Sequence, residues 1–148
     1  MARRLDGPSA VSERKTVKTF RELTVWQQAH QLVLSIYQKT ADLPSHEQYG
    51  LLSQMRRAAV SVAANIVEGH KRRGRKEFLN FLEISDSSLE ELKYHLLLTR
   101  DLGYLTQSVI DDLHEQAERV GRMLTRFKQH IRQEVSNGRT PSVVRANL

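Results

Sequence analysis

The sequence predicts an all-α fold, an antiparallel up-down-up-down four-helix bundle. Apolar residues recur at spacings of three and four in four separate stretches. No stretch alternates like a half-buried strand, and aromatic residues make up only 6% of the chain, a composition that disfavours a sheet. The links between the stretches are short, and short links force neighbouring helices to run in opposite directions.

The first helix is expected from about Val25 to Ala41. Thr24, with Gln27 three residues on, reads as a capping box. Val25, Trp26, Ala29, Leu32, Val33, Ile36 and Tyr37 form one apolar stripe, which places Trp26 and Tyr37 in the core. Pro44 ends that segment. The second helix starts near Ser45, which with Gln48 offers another capping box, and its stripe is Leu52, Met55, Ala59, Val62 and Ile66. Its end falls between Gly69 and Gly74, with Gly74 suited to a left-handed terminal position.

The third helix begins around Arg75, and Phe78, Phe81, Leu82, Ser85, Leu89, Leu92 and Leu96 face the core up to Gly103. Ser85-Asp86-Ser87-Ser88 is a run of weak helix formers, but the stripe stays in phase on both sides, so the run reads as helical. The fourth helix follows a cap at Thr106 or Ser108. Its seam of Val109/Ile110, Leu113, Ala117, Val120, Leu124, Phe127 and Ile131 is close to a coiled-coil pattern.

These helices make one domain over residues 20–134. Residues 1–19 read as a disordered basic tail and residues 135–148 as a flexible C-terminal tail, since both are polar and aperiodic. The chain of 148 residues has no Cys, so disulfides and thiolate chemistry are excluded and a reducing cytoplasmic setting is expected. No apolar run suits a membrane span, and the basic N-terminus lacks the apolar segment of a secretory signal.

The net charge of +6 is unevenly spread. Residues 20–134 hold sixteen Lys/Arg against fifteen Asp/Glu, so most of the excess lies in the tails. One island interrupts this neutral body. Lys71, Arg72, Arg73, Arg75 and Lys76 put five cations in six positions where one helix ends and the next begins. Phosphate binding gains from such clustering through counterion release. The same residues would also serve as a solvated connection that favours the second helix's C-terminal dipole.

A second anomaly lies just upstream. From Ala58 through Val67 there is no charge, which implies burial on more than one side, either in a tight crossing inside one bundle or at a subunit interface. Gln54, Arg57, Ser61, Asn65 and Glu68 lie along this helix and Ser88 on the next. They are candidates for a structural polar network or an interface, with Arg57 expected to pair with an acid across an interface, for instance Glu68 or Glu90. The chain is not expected to be an enzyme. The six His include no pair at i,i+3 or i,i+4, so no metal site or other cofactor is expected. There is no nucleophile-elbow turn, and Gly69 to Gly74 lacks the spacing of a phosphate loop. Lys128-Gln129-His130 reads as surface composition.

The stretch from Phe20 to Ile131 resembles the four helix bundle protein family, also known as the 23S rRNA-intervening sequence protein family. The likeness is carried by Phe20-Arg21-Glu22-Leu23-Thr24-Val25-Trp26-Gln27, by Leu43-Pro44 with Glu47, and above all by the unbroken run from Leu51 to Gly69. Glu77-Phe78, Phe81-Leu82 and Ser87-Ser88-Leu89-Glu90-Glu91-Leu92 add to it. At Asp86-Ser87 the family more often has Gly-Ser, and Asp86 is expected to loosen a close helix approach. The resemblance implies a ring-shaped homopentamer. It is also similar to accessory proteins of diversity-generating retroelements, which implies RNA, DNA or a reverse transcriptase as partners. The function expected is that of a non-enzymatic oligomeric protein binding nucleic-acid phosphates. The alternative is a protein-interaction scaffold or adaptor, such as a reverse-transcriptase accessory factor.

Overall fold

A computed structural model of the chain describes residues 19–146, with side chains for residues 19–138. Among the described residues there are four α-helices and no strands: α1 (Thr24–Lys39), α2 (Leu51–Lys71), α3 (Arg75–Asp101) and α4 (Gln107–Ala146). Short 3-10 turns at Phe20–Glu22 and Ser45–Glu47 precede α1 and α2. The weak formers Ser85 to Ser88 lie inside α3, because Ser85, Ser88 and Leu89 are buried there and tertiary packing outweighs propensity.

Several helix ends differ from expectation. Thr24 is inside α1 rather than capping it. Leu23 holds the cap position without a side-chain bond, and the Gln27 amide donates to the Arg21 carbonyl at 2.8 Å. Ser45 opens a 3-10 turn instead of α2, which starts six residues later, after Gly50. Gly74 is extended (φ −86, ψ 135) and occupies the cap position of α3. The one glycine with positive φ among the described residues is Gly103, at 73°, just after α3. The last helix continues through Ala146, so residues 135–146, expected as a flexible tail, are helical. Ser136, Asn137 and Gly138 only extend an existing helix, where each added residue costs far less than nucleation. The expected tail at residues 1–19 lies outside the described residues apart from Thr19.

Contacts between successive helices join residues late in one helix to residues early in the other. Between α2 and α3 the pairs are Gly69 with Phe78, Val62 with Ser85, and Ser61 with Ser88. Between α3 and α4 they are Arg75 with Glu134, Asp86 with Lys128, and Lys93 with Glu118. Arg56 of α2 reaches the Tyr37 carbonyl near the end of α1. The apolar stripes meet in one core. Leu32, Ile36, Met55, Ile66, Leu82, Leu92, Leu113 and Leu124 are almost completely buried. Each such side chain contributes about 1.5–3 kcal/mol over its exposed state. Tyr37 leaves this core: it is 44% exposed, with the Arg56 guanidinium 4.5 Å from its ring centroid.

Candidate nucleic-acid interface

Only Arg72, Arg73 and Gly74 separate α2 from α3. The turn is held where the Arg72 amide donates to the Gly69 carbonyl at 3.1 Å. It can be this tight because Gly69 presents no side chain to Phe78 and Phe81. A Cβ there would lie 2.6 Å from Phe78 Cδ2 and 2.8 Å from Phe81 Cβ. The close approach places Lys71, Arg72, Arg73, Arg75 and Lys76 together at one end of the bundle, all exposed. The Arg75–Glu134 pair brings the later part of α4 to that end, and the Phe20–Glu22 turn, packed on α1 and α2, completes it.

The five cations are not equivalent. Arg75 Nε lies 2.9 Å from Glu134. Arg72 is 3.8 Å from Glu68 and rests 5.1 Å from the Phe81 ring centroid. Lys71, Arg73 and Lys76 have no acidic partner among the described residues. A phosphate approaching those three displaces no carboxylate.

The predicted polar network forms in part. Ser61 and Ser88 hydroxyls lie 2.8 Å apart across α2 and α3, and the Asn65 amide donates to the Ser61 carbonyl and hydroxyl at 2.8 and 3.0 Å. Glu68 joins Arg72 instead. Gln54 and Arg57 stay exposed and outside the network, and both acids expected for Arg57 are engaged elsewhere, Glu68 by Arg72 and Glu90 by Lys93. Of the uncharged stretch, Ala58, Ala59, Val62, Ala63 and Ile66 are buried within the chain. Val60, 41% exposed, and Ala64 face outward.

A second cluster was not legible in the sequence. Lys128, expected at the surface, is only 7% exposed. Its Nζ donates to Asp86 at 2.7 Å and to Glu83 at 3.3 Å, and Arg132 reaches Glu83 at 2.7 Å. Asp86 therefore turns towards α4 and does not loosen the α2–α3 approach, which Ser85 and Ser88 make. The signal in the sequence was weak: Lys128 follows Leu124 by four and precedes Ile131 by three, on the edge of the apolar seam. Burial works against the Lys128 charge, but the hydrogen bonds and charges of Asp86 and Glu83 outweigh it and raise its pKa above 10.5. Lys93 is raised in the same way, between Glu90 and Glu118. Glu118 is lowered below 4.5, chiefly by the hydrogen bond from Lys93. Glu118's share of stability is thus fully present above about pH 4.5 and lost in acid below it, whereas the lysines lose theirs only as pH climbs past their raised values.

Among the described residues, no three His, Asp or Glu side chains converge to hold a metal ion. Among the same residues, no helix is long and apolar enough to cross a membrane.

Four helices around one apolar core, with a charged connection at one end, define a small helical-bundle protein. The chain belongs to the 23S rRNA-intervening sequence protein family, whose model matches residues 21–126. A solved structure from Bacteroides thetaiotaomicron, described as a protein with unknown function from the S23 ribosomal protein family, is similar to it. The TM-score is 0.64 at 20% identity, over 70% of this chain and 97% of that one. At that identity the likeness shows the fold alone. No curated protein matches the chain.

Proposed function

We propose that this is a non-enzymatic, oligomeric bundle protein that binds nucleic-acid phosphates through Lys71, Arg72, Arg73, Arg75 and Lys76. The observation that carries this reading is the exposure of Lys71, Arg73 and Lys76 on and beside a three-residue connection, with no acidic partner among the described residues. Clustered, unpaired cations release counterions on meeting phosphate without breaking an internal ion pair. The contacts of Gly69 with Phe78, Arg75 with Glu134 and Arg56 with Tyr37 support an antiparallel up-down-up-down order. The outward, uncharged Val60 and Ala64 support self-association, for which the family resemblance suggests a ring-shaped homopentamer. In this reading the protein acts in the cytoplasm.

The test is fluorescence anisotropy with RNA and DNA at about 50 and 200 mM salt, comparing the wild type with a variant carrying Ala at all five basic positions. Binding should weaken with salt and collapse in the variant. Absence of binding at low salt, by a chain that is folded and assembled, overturns the reading.

A protein adaptor, such as a reverse-transcriptase accessory factor, is the second reading. It is favoured by the exposed apolar side chains Leu34, Val60 and Ile84, each 40–49% exposed. That reading requires a stoichiometric complex with one protein partner whose stability changes little with salt.

A further inference from the structure

The basic island and the most exposed tyrosine rings are segregated. Tyr49, 90% exposed, precedes α2 and so lies a full helix away from Lys71, about 33 Å at 1.5 Å per residue. Tyr94, 60% exposed, sits about 28 Å along α3 from Arg75. The aromatic rings near the basic end are occupied. Phe78 is buried edge-on against Phe127, and Phe81 lies half-buried under Arg72. Trp26 is stacked on His30 with centroids 5.0 Å apart, and Phe20 meets its edge at 4.9 Å.

Single strands are held mainly by bases stacking on open aromatic faces, each worth about 1–3 kcal/mol. The basic end offers no exposed Phe, Tyr or Trp ring among the described residues. It offers cations, and one further cation lies outside the island. Arg21 lies exposed in the Phe20–Glu22 turn, which packs against α2, and has no acidic partner among the described residues. A duplex keeps its bases stacked inside and presents one phosphate per about 1.7 Å of axis, against 3.4 Å for one strand. A surface that reads only backbone therefore gains more from a duplex.

Building on the phosphate reading above, we infer that the ligand is a double-stranded nucleic acid gripped by its backbone at this end, and that Arg21 belongs to the grip with Lys71, Arg73 and Lys76. Four phosphate contacts per chain correspond to a salt slope of about −3.6 on a duplex.

The experiment uses the full chain with RNA and DNA duplexes and with unstructured single strands of equal length, across a salt series. Anisotropy reads binding, and the fluorescence of Trp26, the sole tryptophan, reads base stacking near the turn. The expected result is about tenfold tighter binding to duplex, a steeper duplex slope and unchanged Trp26 emission. Arg21→Ala should flatten the slope by about 0.9, and Arg21→Lys, which keeps the charge, should restore it. Equal or tighter single-strand binding, or quenching of Trp26 by single strands, overturns the duplex inference and leaves the phosphate reading standing. An unchanged slope in Arg21→Ala removes Arg21 from the grip. Binding of neither ligand overturns both proposals.

Discussion

Two seams flank α3. On the α2 side the contacts are small and uncharged: Ser85 donates to the Val62 carbonyl at 2.7 Å, Ser61 meets Ser88, and Gly69 lies against Phe78 and Phe81. On the α4 side they are long and ionic. Lys128 sits between Asp86 and Glu83, Arg132 reaches Glu83, and Lys93 joins Glu118 to Glu90. The first seam depends on shape, because backbones that approach closely leave no room for an added carbon. The second depends on charge, because a buried lysine must keep its carboxylates. Substitutions of one chemical type should therefore act differently in the two seams.

The largest effect is expected at Gly69→Ala. Alanine would favour the helix by up to about 1 kcal/mol. The added Cβ, however, would fall 2.8 Å from Phe81 Cβ, an atom fixed by the α3 backbone, as well as 2.6 Å from Phe78. A net loss of about 2 kcal/mol or more is expected in urea unfolding, with a disturbed α2–α3 connection. An unchanged midpoint would mean that this seam opens easily.

Lys128→Met comes next. It keeps most of the side-chain volume but leaves Asp86 and Glu83 close together without their shared cation. Both acids keep some solvent, with side chains 30% and 46% exposed, so the loss should be about 1–3 kcal/mol and not the larger cost of a fully buried pair. Equal stability of variant and wild type at neutral pH would contradict the ionic account of the α3–α4 seam.

The smallest effect, with opposite sign, belongs to Gly121→Ala. There a Cβ would meet Leu89 Cδ2 at 3.4 Å and Lys93 Nζ at 3.8 Å, ordinary contact with flexible ends. Helix propensity then dominates, and a gain of about 0.5–1 kcal/mol is expected in the same unfolding measurement. Glycine to alanine would thus destabilise through one seam and stabilise through the other; destabilisation at both sites would erase the contrast.

Much of the fold was legible because periodicity reports burial directly. The stripes containing Leu32, Met55, Leu82 and Leu124 were read from spacing alone, and those residues are almost completely buried. Helix ends were less legible, since a capping box in sequence competes with the tertiary position of the chain. Gln27 bonds back to Arg21, and Ser45 and Gln48 are drawn into a turn before Gly50. The Ser61–Asn65–Ser88 part of the polar network followed from helix spacing and small size, but Arg57 had no unique partner in sequence and finds none among the described residues.

By itself the sequence determined four amphipathic helices, their order, and a dense cationic connection between the second and third. Those depend on local spacing and composition, which one chain carries in full. Only the tertiary structure decided that Lys128 is enclosed by Asp86 and Glu83, that Arg75 and Arg72 are spoken for, and that the turn carrying Arg21 packs against α2. Pairing of charges depends on which residues of distant helices face each other. That register is set by how Gly69, Ser85 and Ser88 let the helices approach, which no window along the sequence contains.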